Sequence, residues 1–219
     1  MLPLVAGAHG QNRPVSGRLE HWDGIYGARA PETLSWYAPH LASLDLIRES
    51  PRNAAIIDVG GGASTLAQDL LELGFQDITV LDISETALDL ARGRLGERAA
   101  RVEWIRADIA KIGQLPKVFD VWHDRAVFHF LTLEAERRAY ARLLRRSLKP
   151  GGRAIMLTFA PDGPSKCSGL PVMRYDAQSL KRALGEPLEL RSSQPMIHVT
   201  PDGREQAFAL CEFVRAFCG

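Results

Sequence analysis

Short apolar runs alternate with segments of helical periodicity from residue 54 onward. Short, mostly apolar runs, which are typical of buried strands, occupy residues 54–59, 78–81, 102–105, 118–122 and 154–159. Between them, apolar residues recur every three or four positions, as on the buried face of a helix, in residues 65–73, 85–95 and 133–148. Strands that alternate with helices predict an α/β fold with a doubly wound, mostly parallel sheet and helices on both of its faces.

The two ends of the chain depart from this alternation. Residues 188–192 and 205–214 are two final apolar runs joined by a turn-rich connection, which predicts antiparallel strands at the end of a seven-stranded sheet. Residues 1–19 are rich in Gly, Pro, Asn and Ala without periodicity, and we expect a flexible leader. Residues 20–219 then form a single domain, whose first part, residues 20–50, is an aromatic-dotted helical segment.

Length and composition fit a single soluble domain. A chain of 219 residues suits one hydrophobic core. A balance of 27 Lys and Arg against 26 Asp and Glu gives no reason to expect nucleic acid or a membrane surface as a partner. No apolar run approaches the roughly 18 residues that span a bilayer. Three widely spaced cysteines predict no disulfide framework, no structural zinc site and a cytoplasmic location. The oligomeric state stays open.

The first predicted strand runs into a glycine-rich loop, Asp58-Val59-Gly60-Gly61-Gly62. Glycine lets the backbone approach a ligand closely in conformations that a β-carbon forbids. The helix that follows aims free backbone amides at any polar group above its N-terminus. On its own, the loop also fits a merely tight turn between a strand and a helix.

Acidic residues close the next two strands. Asp82 comes 20 residues after Gly62, where a carboxylate can accept both hydroxyls of a ribose. Asp108 closes the third strand at the same edge of the sheet. Each acid alone could be an N-cap of the following helix. The glycine loop and two acids at three successive strand ends together favour a nucleoside site.

Two families of nucleoside-binding proteins share this layout. A nicotinamide-binding domain would need G-x-G-x-x-G, but Thr65 stands where the third glycine belongs, and little chain remains for a substrate domain. The set resembles class I S-adenosylmethionine-dependent methyltransferases, in which D/E-x-G-x-G opens the cofactor site and the last strand is antiparallel. The resemblance covers residues 20–219. It implies a Rossmann-like methyltransferase fold that binds S-adenosyl-L-methionine and releases S-adenosyl-L-homocysteine.

The resemblance assigns roles within the glycine loop. It implies that Gly60 and Gly62 lie against the methionine part of the cofactor, and that Asp58 helps to hold its amino group. The family commonly has a third loop glycine where this chain has Ser64. Serine still accepts the geometry of a helix N-terminus, so this departure leaves the assignment intact.

The resemblance also assigns the adenosine part of the cofactor. It implies that Asp82 binds the ribose hydroxyls and that Ile83 packs on the adenine. Asp108 would accept a hydrogen bond from the adenine amino group, with Ile109 close by. These four residues stand in Leu81-Asp82-Ile83-Ser84 and Ala107-Asp108-Ile109.

The fourth strand ends in a dense polar segment that runs from residue 122 to 131 and reads WHDRAVFHFL. In the family this strand end lies beside the sulfonium. Histidine titrates near neutrality, so His123 with Asp124 is the first choice for positioning or deprotonating the acceptor, and His129 is a further candidate. His123 would also lie near the cofactor. Alternatively, either histidine is a satisfied core residue, and Arg125 pairs with Asp124.

More specifically, the chain resembles small bacterial methyltransferases that begin with a W…Y…SWY segment and carry HDRAVFHFL. In them an N-terminal helix covers the cofactor, and aromatic rings attract a sulfonium cation. This implies a cofactor contact for Trp36. Alternatively, these aromatic side chains only cover the sheet as part of the hydrophobic core. The irregular loop at residues 161–171 is expected to close over the substrate. The candidate acceptor-binding residues are Tyr26, Tyr37, Arg125, Cys167 and Arg174. Alternatively, Cys167 is merely an exposed thiol and Arg174 is a surface residue.

We therefore expect methyl transfer to a small-molecule acceptor by in-line displacement, a reaction that requires no metal. A thiol is one candidate acceptor, because its pKa of about 8.5 demands less help than the pKa of about 10.4 of a lysine amine. The alternative is a protein lysine methyltransferase, which would call for an open acidic groove that no acid-rich stretch suggests. A third hypothesis is a nicotinamide- or nucleoside-binding module without methyl transfer.

Overall fold

The computed structural model describes residues 16–217. Its six α-helices are α1 (Ser16–Ala28), α2 (Leu44–Ile47), α3 (Leu66–Glu72), α4 (Glu85–Leu95), α5 (Glu134–Ser147) and α6 (Ala177–Leu184). Its strands are β1 (Ala55–Val59), β2 (Asp77–Asp82), β3 (Val102–Arg106), β4 (Phe119–Arg125), β5 (Leu148–Phe159), β6 (Lys166–Cys167), β7 (Leu170–Pro171), β8 (Leu188–Val199) and β9 (Glu205–Arg215). Short 3-10 turns complete the connections.

Seven strands form one sheet in the order β3-β2-β1-β4-β5-β9-β8. β1 runs parallel to β2 and β4, and β5 runs parallel to β4. β9 is antiparallel to both of its neighbours, β5 and β8. The expected doubly wound, seven-stranded sheet with an antiparallel C-terminal strand is confirmed. The strand order reverses between β1 and β4, and ligands of such sheets bind in the crevice at this switch point.

The core lies on both faces of the sheet, because helices cover both. All five residues of β1 are buried, as is typical of a central strand in a doubly wound sheet. Ile57 packs into one cluster with Trp122 and Tyr140, and Ile56 packs into the other with Leu70. Each such fully buried side chain contributes about 1.5–3 kcal/mol to stability. The central strands are therefore rigid supports for the loops at their ends.

One helix begins and ends where the sequence predicts, and two other elements differ from the prediction in length. α4 spans Glu85–Leu95, and the hydroxyl of Ser84 caps it by accepting from the backbone N–H of Ala87 at 3.1 Å. β8 is longer than predicted and continues to Val199, because its polar middle lies exposed on an edge strand where no apolar run is needed. The helical pattern around residues 41–47 is reduced to the single turn of α2.

The N-terminal segment covers the carboxyl edge of the sheet. α1 begins at Ser16, so residues 16–19 are helical rather than part of a leader, and residues 1–15 lie outside the described residues. Asp23 of α1 accepts from the hydroxyl of Ser84 at 2.6 Å, and Arg18 donates to Glu136 of α5 at 2.9 Å. None of the helices between residues 16 and 217 is both long and apolar enough to cross a membrane.

Candidate active site

Two adjoining cavities open beneath α1 at the switch point of the sheet. Cavity A, of about 780 Å³ with its open mouth included, lies over the ends of β2, β3 and β4. Cavity B, of about 500 Å³ by the same measure, lies over the glycine loop and the end of β1. The two cavities share four lining residues, which we call the junction: Tyr26, Trp36, Gly60 and Arg125.

The loop after β1 requires glycine at two positions. Gly60 and Gly62 have φ angles of +68° and +39°, in the left-handed region that favours glycine. A β-carbon on Gly60 would lie 2.0 Å from a methyl carbon of Val127, and one on Gly62 would lie 2.8 Å from Oδ2 of Asp82. Gly60 lines both cavities, whereas Gly62 lines neither cavity and lies close to the carboxylate of Asp82. The loop therefore brings bare backbone to the ligand side of the sheet.

Two carboxylates in this region each have one buried oxygen without a partner among the described residues. Oδ1 of Asp58 is 2.7 Å from Nδ1 of His123, while its Oδ2 has no hydrogen-bond partner. Oδ1 of Asp108 accepts from the N–H of Ala110 at 3.0 Å, while its Oδ2 is likewise unpartnered. A buried acceptor of this kind calls for a donor. Asp58 lines cavity B and Asp108 lines cavity A, so ligand N–H groups in these cavities could supply that donor.

Asp82 ends β2 on the wall of cavity A, beside Ile83 and Ile109. Its Oδ1 accepts from the N–H of Ser84 at 2.8 Å. Burial raises the pKa of the Asp82 carboxyl to about 7, and the negative charge of Asp58 adds to that rise. Hydrogen-bond donors from a ligand would favour its charged form. The isoleucines offer apolar surface to a flat ring beside it.

His123 is fully buried in a chain of three polar side chains. Its Nδ1 lies 2.7 Å from Oδ1 of Asp58, and its Nε2 lies 2.8 Å from Oγ of Ser43. A carboxylate only accepts, so we assign the ring proton to Nδ1, and Nε2 accepts from the serine hydroxyl. Both ring nitrogens thus have partners within the protein. His123, which lines cavity B, holds Asp58 in place through this hydrogen bond.

Asp124 and His129, the other two predicted catalytic residues, line neither cavity. Both are fully buried. Asp124 accepts from the N–H groups of Val127 and Phe128 and from the hydroxyl of Tyr140, so it holds the turn after β4. Burial raises the pKa of Asp124 to about 6. The role predicted for it is therefore corrected to that of a turn cap.

His129 packs between two aromatic rings in the core. Its ring centroid lies 4.6 Å from that of Phe130 and 4.8 Å from that of Phe159. Burial, together with the charge of Arg125, lowers the pKa of His129 to about 3. His129 is therefore a neutral core residue and not a base that faces the cavities.

Aromatic rings from the N-terminal segment cover cavity A. Trp22 meets Trp36 edge to face with ring centroids 5.6 Å apart, and it meets Phe130 in the same way at 5.1 Å. Tyr26 lies 6.0 Å from Trp36. Burial raises the pKa of the Tyr26 phenol further above its already high ordinary value, so it stays neutral. Trp22 and Phe130 were not among the predicted site residues, although both lie within the two family segments.

The predicted acceptor-binding residues divide between the cavities. Tyr37 lines cavity B, and Cys167, whose pKa is raised by burial, lines cavity A. Arg125 borders both and donates from Nη1 to the backbone carbonyl of Trp36 at 2.6 Å, so it does not pair with Asp124. Arg174 lines neither cavity and donates to the carbonyl of Gly163 at 3.3 Å, which corrects its predicted role.

Arg18 is a lining residue that the sequence did not indicate. It borders cavity A, and its Nη1 lies 3.8 Å from Oδ1 of Asp108. It falls within residues 1–19, where the lack of periodicity predicted a leader, so no local signal pointed to it. Within residues 16–217 no group of three or more His, Cys, Asp and Glu side chains is placed to hold a metal ion.

Comparison with known proteins points to one class of enzyme. Residues 56–152 match the family model for a methyltransferase domain. The chain is 24% identical over 152 residues to the eEF1A lysine and N-terminal methyltransferase of Bos taurus, a match that covers 66% of this chain but 22% of that protein. It is 28% identical over 158 residues to EEF1A lysine methyltransferase 2 of Danio rerio, with 64% and 67% covered. The chain thus spans about a fifth of the length of the bovine relative.

Solved structures show the same fold. One, from work on the conversion of a disulfide bond into a thioacetal group during echinomycin biosynthesis, superimposes with a TM-score of 0.74 at 24% identity, covering 92% of this chain and 94% of that one. The glycopeptide N-methyltransferase MtfA complexed with S-adenosyl-L-methionine gives a TM-score of 0.61 at 16% identity, covering 80% and 86%.

Proposed function

We propose that the chain, whose residues 56–152 match a methyltransferase domain, is an S-adenosylmethionine-dependent methyltransferase that transfers a methyl group to a small molecule, with a thiol as the first candidate acceptor. The transfer would take place at the junction of cavities A and B. The cofactor supplies an electrophilic methyl group on a sulfonium. The protein's own tasks are to bind the cofactor, to align the acceptor in line and to exclude water.

The described residues fit this cofactor. The unpartnered Oδ2 of Asp58 suits the amino group of its methionine part, and the unpartnered Oδ2 of Asp108 suits the adenine amino group. Asp82 would accept the ribose hydroxyls, and Ile83 and Ile109 would contact the adenine. His123, which lines cavity B beside Asp58, fixes the orientation of that carboxylate. Each of these carboxylates thus has a ligand group of the right chemistry.

The observation that carries the choice of acceptor is the chemistry of the junction. None of its four members can take up a proton near neutral pH: Tyr26 is a neutral phenol, Arg125 is already protonated, and Trp36 and Gly60 have no basic side chain. A thiol of pKa about 8.5 ionises in part without help, whereas a lysine amine of pKa about 10.4 needs a base. A cationic guanidinium beside the thiol favours the thiolate further.

Protein lysine methylation is the second candidate, because the two curated relatives described above are lysine methyltransferases. The positive charge of Arg125 at the junction opposes the approach of a lysine ammonium. The aromatic cover formed by α1 also narrows the access that a protein segment would need.

Cys167 and Cys211 are free thiols, which is consistent with the cytoplasm as the location that we propose.

The test is a release assay for S-adenosylhomocysteine with a panel of small thiols, amines and carboxylates. We expect turnover with thiols in the native protein. Gly60→Ala should abolish it, because the added β-carbon would clash with Val127. Gly93→Ala, on α4 with open space around it, is the matched control and should keep full activity.

A parallel experiment uses labelled S-adenosylmethionine and a lysate freed of small molecules. Labelled protein bands that the Gly60→Ala variant fails to produce, together with no turnover of small thiols, would overturn the small-molecule proposal in favour of protein methylation. Calorimetry with S-adenosylhomocysteine and NAD addresses the third hypothesis. Binding of NAD alone would show a nicotinamide-binding module without methyl transfer.

A further inference from the structure

Arg125 is the only charged member of the junction between the two cavities. It ends β4 and borders both cavities, together with Tyr26, Trp36 and Gly60. Burial lowers the pKa of its guanidinium to about 10, which still leaves it protonated at neutral pH. A permanent positive charge therefore faces the place where methyl transfer is proposed.

Two neutral acceptors orient this guanidinium. Nη1 donates to the carbonyl of Trp36 at 2.6 Å, and Nη2 lies 3.5 Å from Nδ1 of His198. Nε2 of His198 lies 2.8 Å from the carbonyl of Ser35, so it carries the ring proton and Nδ1 is left as an acceptor toward the arginine. A guanidinium has five N–H donors. The other donors of Arg125 are not used by these two contacts.

Arg125 has no carboxylate against it, in contrast to two other partly buried arginines. Arg153 lies 2.5 Å from an oxygen of Glu212, and Arg18 lies 2.9 Å from an oxygen of Glu136. Within residues 16–217, no carboxylate oxygen lies within 4.0 Å of the nitrogens of Arg125. Removing a guanidinium from water costs free energy unless an opposite charge, such as that of a bound ligand, compensates for the lost hydration.

The other polar groups nearby do not neutralise this charge. Asp58 attracts Arg125 from beyond ion-pair distance, and its ion-pair contact is with His123. Cys167 lines the same cavity, but burial raises the pKa of its thiol, so it stays neutral. A ligand anion in these cavities would supply the counter-charge that no carboxylate within 4.0 Å provides.

We infer that Arg125 is the recognition group for the acceptor and that the acceptor bears a carboxylate close to its nucleophilic sulfur. This inference rests on the proposed function and names the substrate class: small mercapto-carboxylates. A carboxylate matches the planar fork of a guanidinium with two charge-assisted hydrogen bonds. The carbonyl of Trp36 and Nδ1 of His198 hold the fork in place, so the carboxylate sets the position of the sulfur. An ammonium group at the same place would be repelled.

The test compares three thiols of similar size: 3-mercaptopropionate, 3-mercaptopropionamide and 2-aminoethanethiol. kcat/KM is measured by release of S-adenosylhomocysteine and expressed per thiolate. We expect the native protein to prefer the carboxylate over the amide at least about tenfold, which one charge-assisted pair provides, and to use the amine least. Arg125→Gln should remove the preference, and Arg125→Lys should retain part of it. Arg174→Gln, an arginine outside both cavities, is the matched control.

The outcomes separate this inference from the proposed function. Equal use of the carboxylate and amide thiols by the native protein would overturn the inference and leave thiol methylation standing. If no thiol is methylated, the proposed acceptor fails and mercapto-carboxylates fail with it, and calorimetry then decides whether Arg125 recognises a carboxylate. Propionate must bind the protein loaded with S-adenosylhomocysteine more tightly than propionamide does, and only with Arg125 intact; equal binding overturns it.

A carboxylate is also present in the cofactor, and one more measurement distinguishes that source. If Arg125→Gln weakens binding of S-adenosylhomocysteine more than about tenfold but leaves the preference among the thiols unchanged, Arg125 serves the cofactor, and the acceptor assignment is wrong. We expect the opposite result: cofactor affinity within a few-fold of native and a lost preference. Thermal unfolding of each variant shows that it is folded.

Discussion

Asp82 makes cofactor affinity depend on pH. Burial raises the pKa of its carboxyl from 3.8 to about 7 in the free protein. Ribose hydroxyls donate to the charged carboxylate, so binding favours the deprotonated form and releases a proton below pH 7. Affinity for S-adenosylhomocysteine should therefore increase as the pH rises. The raised pKa of Asp82 has the opposite effect on the stability of the free protein. The contribution of Asp82 to the free energy of unfolding falls as the pH rises from about 4 to 7.

The expected size follows from the pKa of Asp82. With a pKa of about 7, roughly one tenth of the carboxyl is ionised at pH 6 and roughly nine tenths at pH 8. If only the ionised form binds the ribose, the Kd at pH 6 is about tenfold that at pH 8, or about 1.4 kcal/mol. Binding at pH 6 should release about 0.9 proton per site, and at pH 8 about 0.1.

Titration calorimetry at pH 6 and pH 8, in buffers of different ionisation enthalpy, measures both quantities. The control is Asp82→Asn, which keeps the shape of the side chain and cannot titrate. Its affinity should be lower at pH 8 and nearly independent of pH. The reasoning is refuted if the native protein binds equally at both pH values, or if Asp82→Asn keeps the tenfold change.

Three other variants probe the neighbouring side chains. Asp124→Ala should lower the unfolding free energy by about 3–5 kcal/mol in urea, because it strands buried donors that include the Tyr140 hydroxyl; an unchanged midpoint would contradict its role as a turn cap. His123→Ala should weaken binding of S-adenosylhomocysteine about tenfold through the loss of its hydrogen bond to Asp58. A fall in turnover of about 10²–10⁴ with intact binding would instead identify a base. Trp22→Ala should speed release of S-adenosylhomocysteine about two- to tenfold in stopped-flow measurements, since its edge-to-face contacts with Trp36 and Phe130 are lost; an unchanged rate would show that this ring does not retain the ligand.

Local signals explain what the sequence predicts well. α4 begins at its capping serine, Ser84, and the glycine loop lies directly after a buried strand. The acids Asp82 and Asp108 line the same cavity, as expected, because the carboxyl ends of parallel strands meet at one edge of the sheet. Each of these features depends on residues that are close in the sequence.

The roles at the end of β4 depend on residues that are far away in the sequence. Ser43 lies 80 positions before His123, and its hydroxyl occupies the ring nitrogen that a base would need. Tyr140 belongs to the next helix and turns Asp124 into part of a buried network. Polarity alone marks such residues as candidates, but tertiary packing decides which of these residues point toward a ligand. The polar middle of β8 was missed for a related reason, because an edge strand needs no continuous apolar run.

The position of β9 constrains the order in which the molecule can fold. β9 follows β8 along the chain, yet it lies between β5 and β8 in the sheet. Until residues 205–215 leave the ribosome, β8 has no neighbour to pair with, and β5, buried from Ala154 to Phe159 in the finished fold, is an exposed edge. An exposed apolar edge invites aggregation. The nascent chain therefore completes its sheet in one late step, and a chain that stops before β9 would present β5 to any other unpaired strand.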